Sequence, residues 1–345
     1  MAQIKIFLIV AKLLCLLFFG FNLRAEDKPV FRFHLSQAPI SFDPAQFHNT
    51  EVAHLFSNIY RGLYKYDDKL GVIPENAKKC VWQNSLKLVC TLRKDFKWND
   101  GSLVVAQDYV RAFRYLVNPN SKSWTLHGLV KLQNAKKILK GVLTSEQLGV
   151  KASNDYTLEF DFEEPDPEFI ARLSAAVFVP WKIKPDITQP EKLISNGPYM
   201  IQKFDKGQKA YLVPNPYYPL GNPKRPDVEV YFIDEDSVAQ NLFDTRRLDL
   251  QMRLVPAFIP KYKNNKDFFT TVLSRMDYIG FGPEIQKDIH LRKALAWSVD
   301  YEELKKILFA DGRPGCTGLT HRYLARDHCY DFNLVKAKKE LEKVP

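Results

Sequence analysis

The chain has 345 residues, of which 46% are hydrophobic, 26% charged and 13% aromatic. A chain of that size and composition buries a real core, in one large domain or two medium ones, and the disordered, collagen-like and low-complexity classes are excluded. Fifty basic and forty acidic residues leave a net charge of +10, spread along the chain without a dense basic run, which argues against nucleic acid as the partner.

The N-terminus reads as an address. Met1 to Lys5 is positively charged, Ile6 to Leu23 is apolar apart from Lys12 and Asn22, and Leu23-Arg24-Ala25 offers a small residue at a cut site. This pattern predicts a secretory signal peptide over residues 1–25. Lys12 divides the apolar stretch into pieces shorter than the ~20 residues that span a bilayer, which counts against an anchor. Leu14 is too bulky to precede a lipidated Cys15. The expectation is a soluble, exported, periplasmic protein.

In chain order, Val30 to Leu35 alternates and predicts a strand, and Glu51 to Tyr60 places Val52, Leu55, Phe56 and Ile59 on one helical face. Two strands at 79–92 turn around Gln83-Asn84-Ser85, which sets Cys80 opposite Cys90. Ala106 to Val117 predicts a helix with Tyr109, Val110, Phe113 and Leu116 facing inward, stopped by Asn118-Pro119. A second hairpin turns at Asn154-Asp155, and Pro167 to Ala176 reads as a helix. Strands at 199–204 and 209–213 flank Asp205-Lys206-Gly207, followed by a strand at 228–233, a helix at 237–247 and one or two helices at 289–308. The class is α/β with intertwined segments.

Cysteine usage agrees with export. Cys80, Cys90, Cys316 and Cys329 permit three pairings, of which the local one, Cys80 with Cys90 and Cys316 with Cys329, is favoured. The rival is a metal site from Cys316, His321, His328 and Cys329, whose spacing fits no common zinc pattern. No nucleophile elbow, zinc helix, phosphate loop or dinucleotide turn is present. Asp161, Glu163, Glu164, Asp166 and Glu168 imitate a carboxylate site, but Pro165 and Pro167 read them as a solvated loop. No enzyme, cofactor or metal is expected.

The order of segments carries a family. Ser41-Phe42-Asp43-Pro44-Ala45, Arg61-Gly62-Leu63, Pro74-Glu75-Asn76-Ala77, the run from Cys90 to Gly101 ending Trp98-Asn99-Asp100-Gly101, Val105 to Val110, Asn196-Gly197-Pro198-Tyr199 and Leu291 to Asp300 follow one another as in family 5 extracellular solute-binding proteins. The chain resembles these oligopeptide- and dipeptide-binding proteins of ABC importers, and within them the oligopeptide-binding branch. The resemblance implies a periplasmic-binding-protein-like fold (type II, cluster C). Lobe I would span 26–255, with an inserted subdomain at about 61–181. Residues 256–345 would form a partial, incomplete lobe II, with Val335 to Leu341 as an early lobe II helix. It implies non-covalent capture of an oligopeptide in an interlobe cleft and delivery to ABC transporter permease subunits. Backbone hydrogen bonding gives such a site affinity without reading side chains. His48, Asn49 and Thr50, just after the Asp43-Pro44 segment, are implied ligand contacts, with Trp124 and Tyr278 as aromatic candidates. Trp98 is expected in the core. The alternatives are a lobe I remnant acting as an interaction protein, with a protein partner completing lobe II, and an exported enzyme.

Overall fold

The computed structural model describes residues 29–46, 50–121, 123, 128–183, 188–221, 224–252, 254–270, 280–308 and 330–344. They fall into two compact units divided after Met252.

The first unit opens with β1 (Val30–Leu35), a 3-10 turn at Pro44–Gln46 and helix α1 (Thr50–Ile59). Strands β2 (Tyr64–Tyr66), β3 (Val72–Pro74), β4 (Ala77–Asn84) and β5 (Lys87–Leu92) follow, then α2 (Ala106–Val117), α3 (Ala135–Leu139), β6 (Val150–Asn154), β7 (Thr157–Asp161) and α4 (Phe169–Arg172). The unit ends with β8 (Tyr199–Asp205), β9 (Lys209–Pro214), β10 (Asp227–Phe232) and α5 (Asp236–Asp244).

One four-stranded sheet is ordered β1-β10-β9-β8 and another β4-β5-β7-β6, with β2 and β3 as a separate ribbon. In the first sheet, β1 runs parallel to β10 and every other pair is antiparallel. Its strands come from either side of the segment that supplies the second sheet. The chain therefore leaves the first sheet after β1, builds the second, and returns. Asp249 closes the sheet edge beyond β1: its carboxylate takes the Arg32 amide at 2.8 Å and the Arg32 Nε at 3.0 Å.

Alternation explains both sheets. Leu35, Ala210, Leu212 and Val230 point into the core from the first, and Leu88, Cys90, Leu158 and Phe160 from the second. Helix α2 buries Tyr109, Val110, Phe113 and Leu116, and α1 buries Val52, Leu55, Phe56 and Ile59, the faces expected from their spacing. Phe113 meets Phe160 edge-on at 5.2 Å and stacks on Phe178 at 5.8 Å. Trp98 is fully buried, and its indole N–H donates to Asp108 Oδ2 at 3.1 Å.

Two expectations need correction. The helix expected over 167–176 is regular only at Phe169–Arg172. It breaks into turns afterwards, where Val177, Phe178 and Val179 are buried in succession, a run that one helical face would not bury. The acidic run is a solvated loop only in part: Glu163, Glu164 and Glu168 are exposed, but Asp166 is buried and Asp161 belongs to β7. Asp161 is paired with Lys87 at 3.2 Å, Glu164 with Lys136 at 2.6 Å, and the buried Asp166 with Arg172 and Lys131. Asp166 is a buried structural counter-ion.

Among the described residues of the second unit, the regular elements are helices. They include α6 (Ile259–Tyr262), α7 (Pro283–Lys287), α8 (Ile289–Ser298), α9 (Tyr301–Leu308) and α10 (Leu334–Leu341). Asp288 caps α8 by accepting from the amides of His290 and Leu291 at 2.8 and 3.0 Å. Small buried residues, Ala294 and Ala337, let α8 and α10 pack closely. The Trp297 ring meets Tyr330 edge-on at 4.9 Å and carries Lys336 Nζ 4.2 Å above it. At the other end His290 Nδ1 lies 2.7 Å from Glu340.

Candidate functional site

Of the implied contacts, His48, Asn49, Trp124 and Tyr278 lie outside the described residues, and Thr50 is the first residue of α1. Cys316, Cys329, His321 and His328 also lie outside them. The described residues beside these segments form their frame.

Asp43 sets the turn ahead of the 47–50 segment. It is buried, its amide donates to Ser41 Oγ at 3.1 Å, and its Oδ1 accepts from the Ala45 amide at 2.8 Å. Such a side-chain to backbone bond two residues on is what Asp before Pro favours. Oδ2 accepts from the Tyr115 hydroxyl at 2.8 Å. Burial, reinforced by Asp43, pushes the Tyr115 phenol far above its ordinary value, which fixes it as a donor. The ring of Tyr115 packs on Trp181 with centroids 4.5 Å apart.

Tyr115 also starts the turn that leads towards Trp124. Its carbonyl accepts from the Asn118 amide at 3.0 Å, Asn118 O accepts from Ser121 at 2.9 Å, and Ser121 Oγ accepts from the Ser123 amide at 3.2 Å. The described anchors of two implied contact segments are thus joined through one side chain. The sequence signal for this was weak, since Tyr115 lies off the inward face read from α2.

A second layer explains the Asn-rich motifs. Asn196 lies against the chain leaving α1, its Oδ1 accepting from the Arg61 amide at 2.9 Å and its Nδ2 donating to the Arg61 carbonyl at 2.8 Å. The Gly197 amide donates to Ile59 O at 2.9 Å, and a Cβ on Gly197 would lie 2.5 Å from Ile59 C. Asn99 binds the same returning segment, donating to Leu193 O at 2.9 Å and accepting from the Ser195 amide at 3.2 Å. Gly101, at a φ of +85°, closes the turn that presents Asn99. The chain leaving α1 and the segment returning before β8 are therefore stitched side by side.

Glu75 forms a third layer. Its side chain is fully buried, with Lys65 Nζ 2.7 Å and Arg61 Nε 3.5 Å away, and the Tyr218 hydroxyl donates to it. Beside it, Asn76 Nδ2 donates to the Tyr109 hydroxyl at 2.9 Å. Only the Pro74-Glu75-Asn76-Ala77 motif marked these residues in the sequence.

The open face of the first sheet holds a depression of about 370 Å³ lined by Gln202, Lys203, Asp205, Lys209, Tyr211 and Glu229. Its charges are matched in place, Lys209 to Glu229 at 2.8 Å and Lys203 to Asp205 at 2.9 Å. Among the described residues no cluster of His, Cys, Asp or Glu could hold a metal ion, and no helix is long and apolar enough to cross a membrane.

This architecture has known counterparts. The solved structure of the Escherichia coli murein tripeptide binding protein MppA matches at a TM-score of 0.78 and 23% identity, covering 92% of this chain and 66% of that one. The fold is that of the periplasmic oligopeptide-binding proteins. In sequence, the periplasmic murein peptide-binding protein MppA of Escherichia coli (strain K12) is 30% identical over 203 residues, 56% of this chain and 37% of the relative. The probable deoxycholate-binding periplasmic protein YgiS of the same organism is 24% identical over 311 residues, 86% of this chain and 58% of the relative. The chain thus spans between about a third and somewhat over half the length of these curated relatives. Residues 71–344 match the family described as bacterial extracellular solute-binding proteins, family 5 Middle, and the chain belongs to that family.

Proposed function

We propose that the chain is the extracytoplasmic peptide-binding component of an ABC-type import system, which holds an oligopeptide non-covalently and passes it to permease subunits. Residues 1–25 direct export to the periplasm. Residues 26–255, with an insertion at about 61–181, form lobe I, and lobe II begins near 256. His48, Asn49 and Thr50 supply polar contacts to the peptide backbone, while Trp124 and Tyr278 supply aromatic surface. The Asp43 turn and Tyr115 position the first of these segments and the approach to Trp124.

The observation that carries this reading is the family match over residues 71–344. It is supported by relatives named for binding rather than for catalysis, among them a murein peptide-binding protein. Peptide backbone recognition is chemically suited to such a site, because every peptide offers the same amides and carbonyls.

Isothermal calorimetry of the purified protein against di- to pentapeptide mixtures tests the proposal, with thermal shift as a companion. The expected result is a dissociation constant of about 1 µM or tighter, near −8 kcal/mol, and a raised melting temperature. A folded, monodisperse sample that gives neither heat nor shift at about 1 mM peptide would overturn it. Saturable binding of deoxycholate without peptide binding would replace the ligand class.

A further inference from the structure

Among the described residues, strand β4 has one neighbour in its sheet, β5. It is held in register over a short run: Lys79, Cys80, Val81 and Trp82 face Thr91, Cys90, Val89 and Leu88. The register shifts on both sides of this run, between Ala77 and Lys79 and between Trp82 and Asn84. Such irregularities are places where a strand absorbs or loses a residue.

The side chains of β4 resist a slip only weakly. Lys78, Lys79, Val81, Gln83 and Asn84 are all exposed, so the inward set after Ala77 is Cys80 and Trp82. Trp82 packs on Phe162 at 5.1 Å. A slip of one position would exchange that pair for Lys79 and Val81. The covalent bond between Cys80 and Cys90, with Cα atoms 4.0 Å apart, sits inside the in-register run. On its outer edge, the Cys80 amide donates to the Tyr64 hydroxyl at 3.1 Å.

The rest of the sheet has pairings of its own. Strand β5 pairs with β7 over five successive positions, from Lys87 with Asp161 to Thr91 with Thr157. Lys87 also reaches Glu159 at 2.7 Å and Asp161 at 3.2 Å.

We infer that the Cys80–Cys90 disulfide is a redox-sensitive clasp on an edge strand, and that its reduction releases β4 from its register while β5, β7 and β6 stay paired. Cys90 is fully buried and Cys80 only partly so, which makes the Cys80 sulfur the point of entry. A thiolate of a dithiol reductant attacks Cys80 Sγ, and the sulfur–sulfur bond breaks with its electron pair leaving on Cys90 Sγ. The second thiol of the reductant then attacks its own sulfur in the mixed disulfide and frees Cys80. Two electrons and two protons end on the cysteines, and the dithiol leaves as its disulfide. The freed β4 then presents unpaired backbone groups at a sheet edge.

Hydrogen exchange read by mass spectrometry tests the clasp on the full chain as purified, after reduction with dithiothreitol, and in the Cys80→Ala/Cys90→Ala variant. The variant leaves the other cysteines untouched, and the reduced protein serves if the variant does not fold. Closing a loop of 10 residues restricts the open chain by about 100-fold, so β4 amides should exchange about 100-fold faster without the bond. Amides of Thr157–Asp161 should keep their protection. Unchanged protection in β4 would overturn the inference. So would loss of β4 and β7 protection together, which would make the bond a general stabiliser, or free Cys80 and Cys90 thiols in the purified protein.

Discussion

Tyr115 donates its hydroxyl to Oδ2 of Asp43 across 2.8 Å, although the two residues lie 72 positions apart. The bond connects the turn before α1 with the last turns of α2. Its acceptor is a buried carboxylate, for which a lost donor is more costly than at the surface. Tyr115→Phe keeps the ring on Trp181 and removes the hydroxyl, which also meets the Gln46 side chain. It should lower stability by about 1–3 kcal/mol in urea denaturation and, on the proposed function, weaken peptide binding. A variant as stable as the parent would show that the bond does not hold the turn.

Gly197 should tolerate no side chain. A Cβ there would come within 2.5–2.7 Å of three backbone atoms of Asn58 and Ile59, none of which can swing aside as a side chain would. Gly197→Ala should cost more than about 3 kcal/mol, read as a lowered denaturation midpoint or as failure to accumulate folded protein. Asn196→Ala, which strands both main-chain groups of Arg61, should cost about 2–3 kcal/mol.

The buried Glu75 is a counter-ion whose removal is expected to hurt. Glu75→Gln keeps the shape but leaves Lys65 and Arg61 facing a neutral amide. A loss of about 2–4 kcal/mol in urea denaturation is expected. A change below about 0.5 kcal/mol would mean that water solvates the two cations well enough without it.

Acid should destabilise the protein through particular carboxylates. Lys87 and then Ser153 hold Glu159 at about 2, below its ordinary 4.5. Burial raises Asp100, but Lys182 and Ser102 outweigh it and bring the group from 3.8 to about 2. A carboxyl depressed in the folded state stabilises above its unfolded value, and that contribution is lost as pH falls through the folded one. Stability should therefore drop between about pH 4.5 and 2. Asp108, raised by burial, opposes the trend. Thermal melts across this window check it, and Glu159→Gln should flatten the slope. A steeper slope in that variant would contradict the assignment.

What the sequence reveals follows how local the physics is. Spacing alone places the buried faces of α1 and α2, and the turn near Ser85 sets Cys80 across from Cys90, as the register of β4 and β5 shows. The three-residue strands β2 and β3 are too short for alternation to register. Asp166 reads as solvated because its partners, Arg172 and Lys131, meet it only through folding. The same holds for Asn196 with Arg61 and for Asp43 with Tyr115, whose partners lie 135 and 72 positions away. Motif order exposed those residues as a set without saying what each one touches.

Native mass spectrometry of the purified protein with an equimolar oligopeptide mixture tests the central claim most directly. The account predicts one-to-one adducts that fragment into peptides, survive buffer exchange and raise the melting temperature. A folded protein that carries no peptide adduct at any ratio would contradict it.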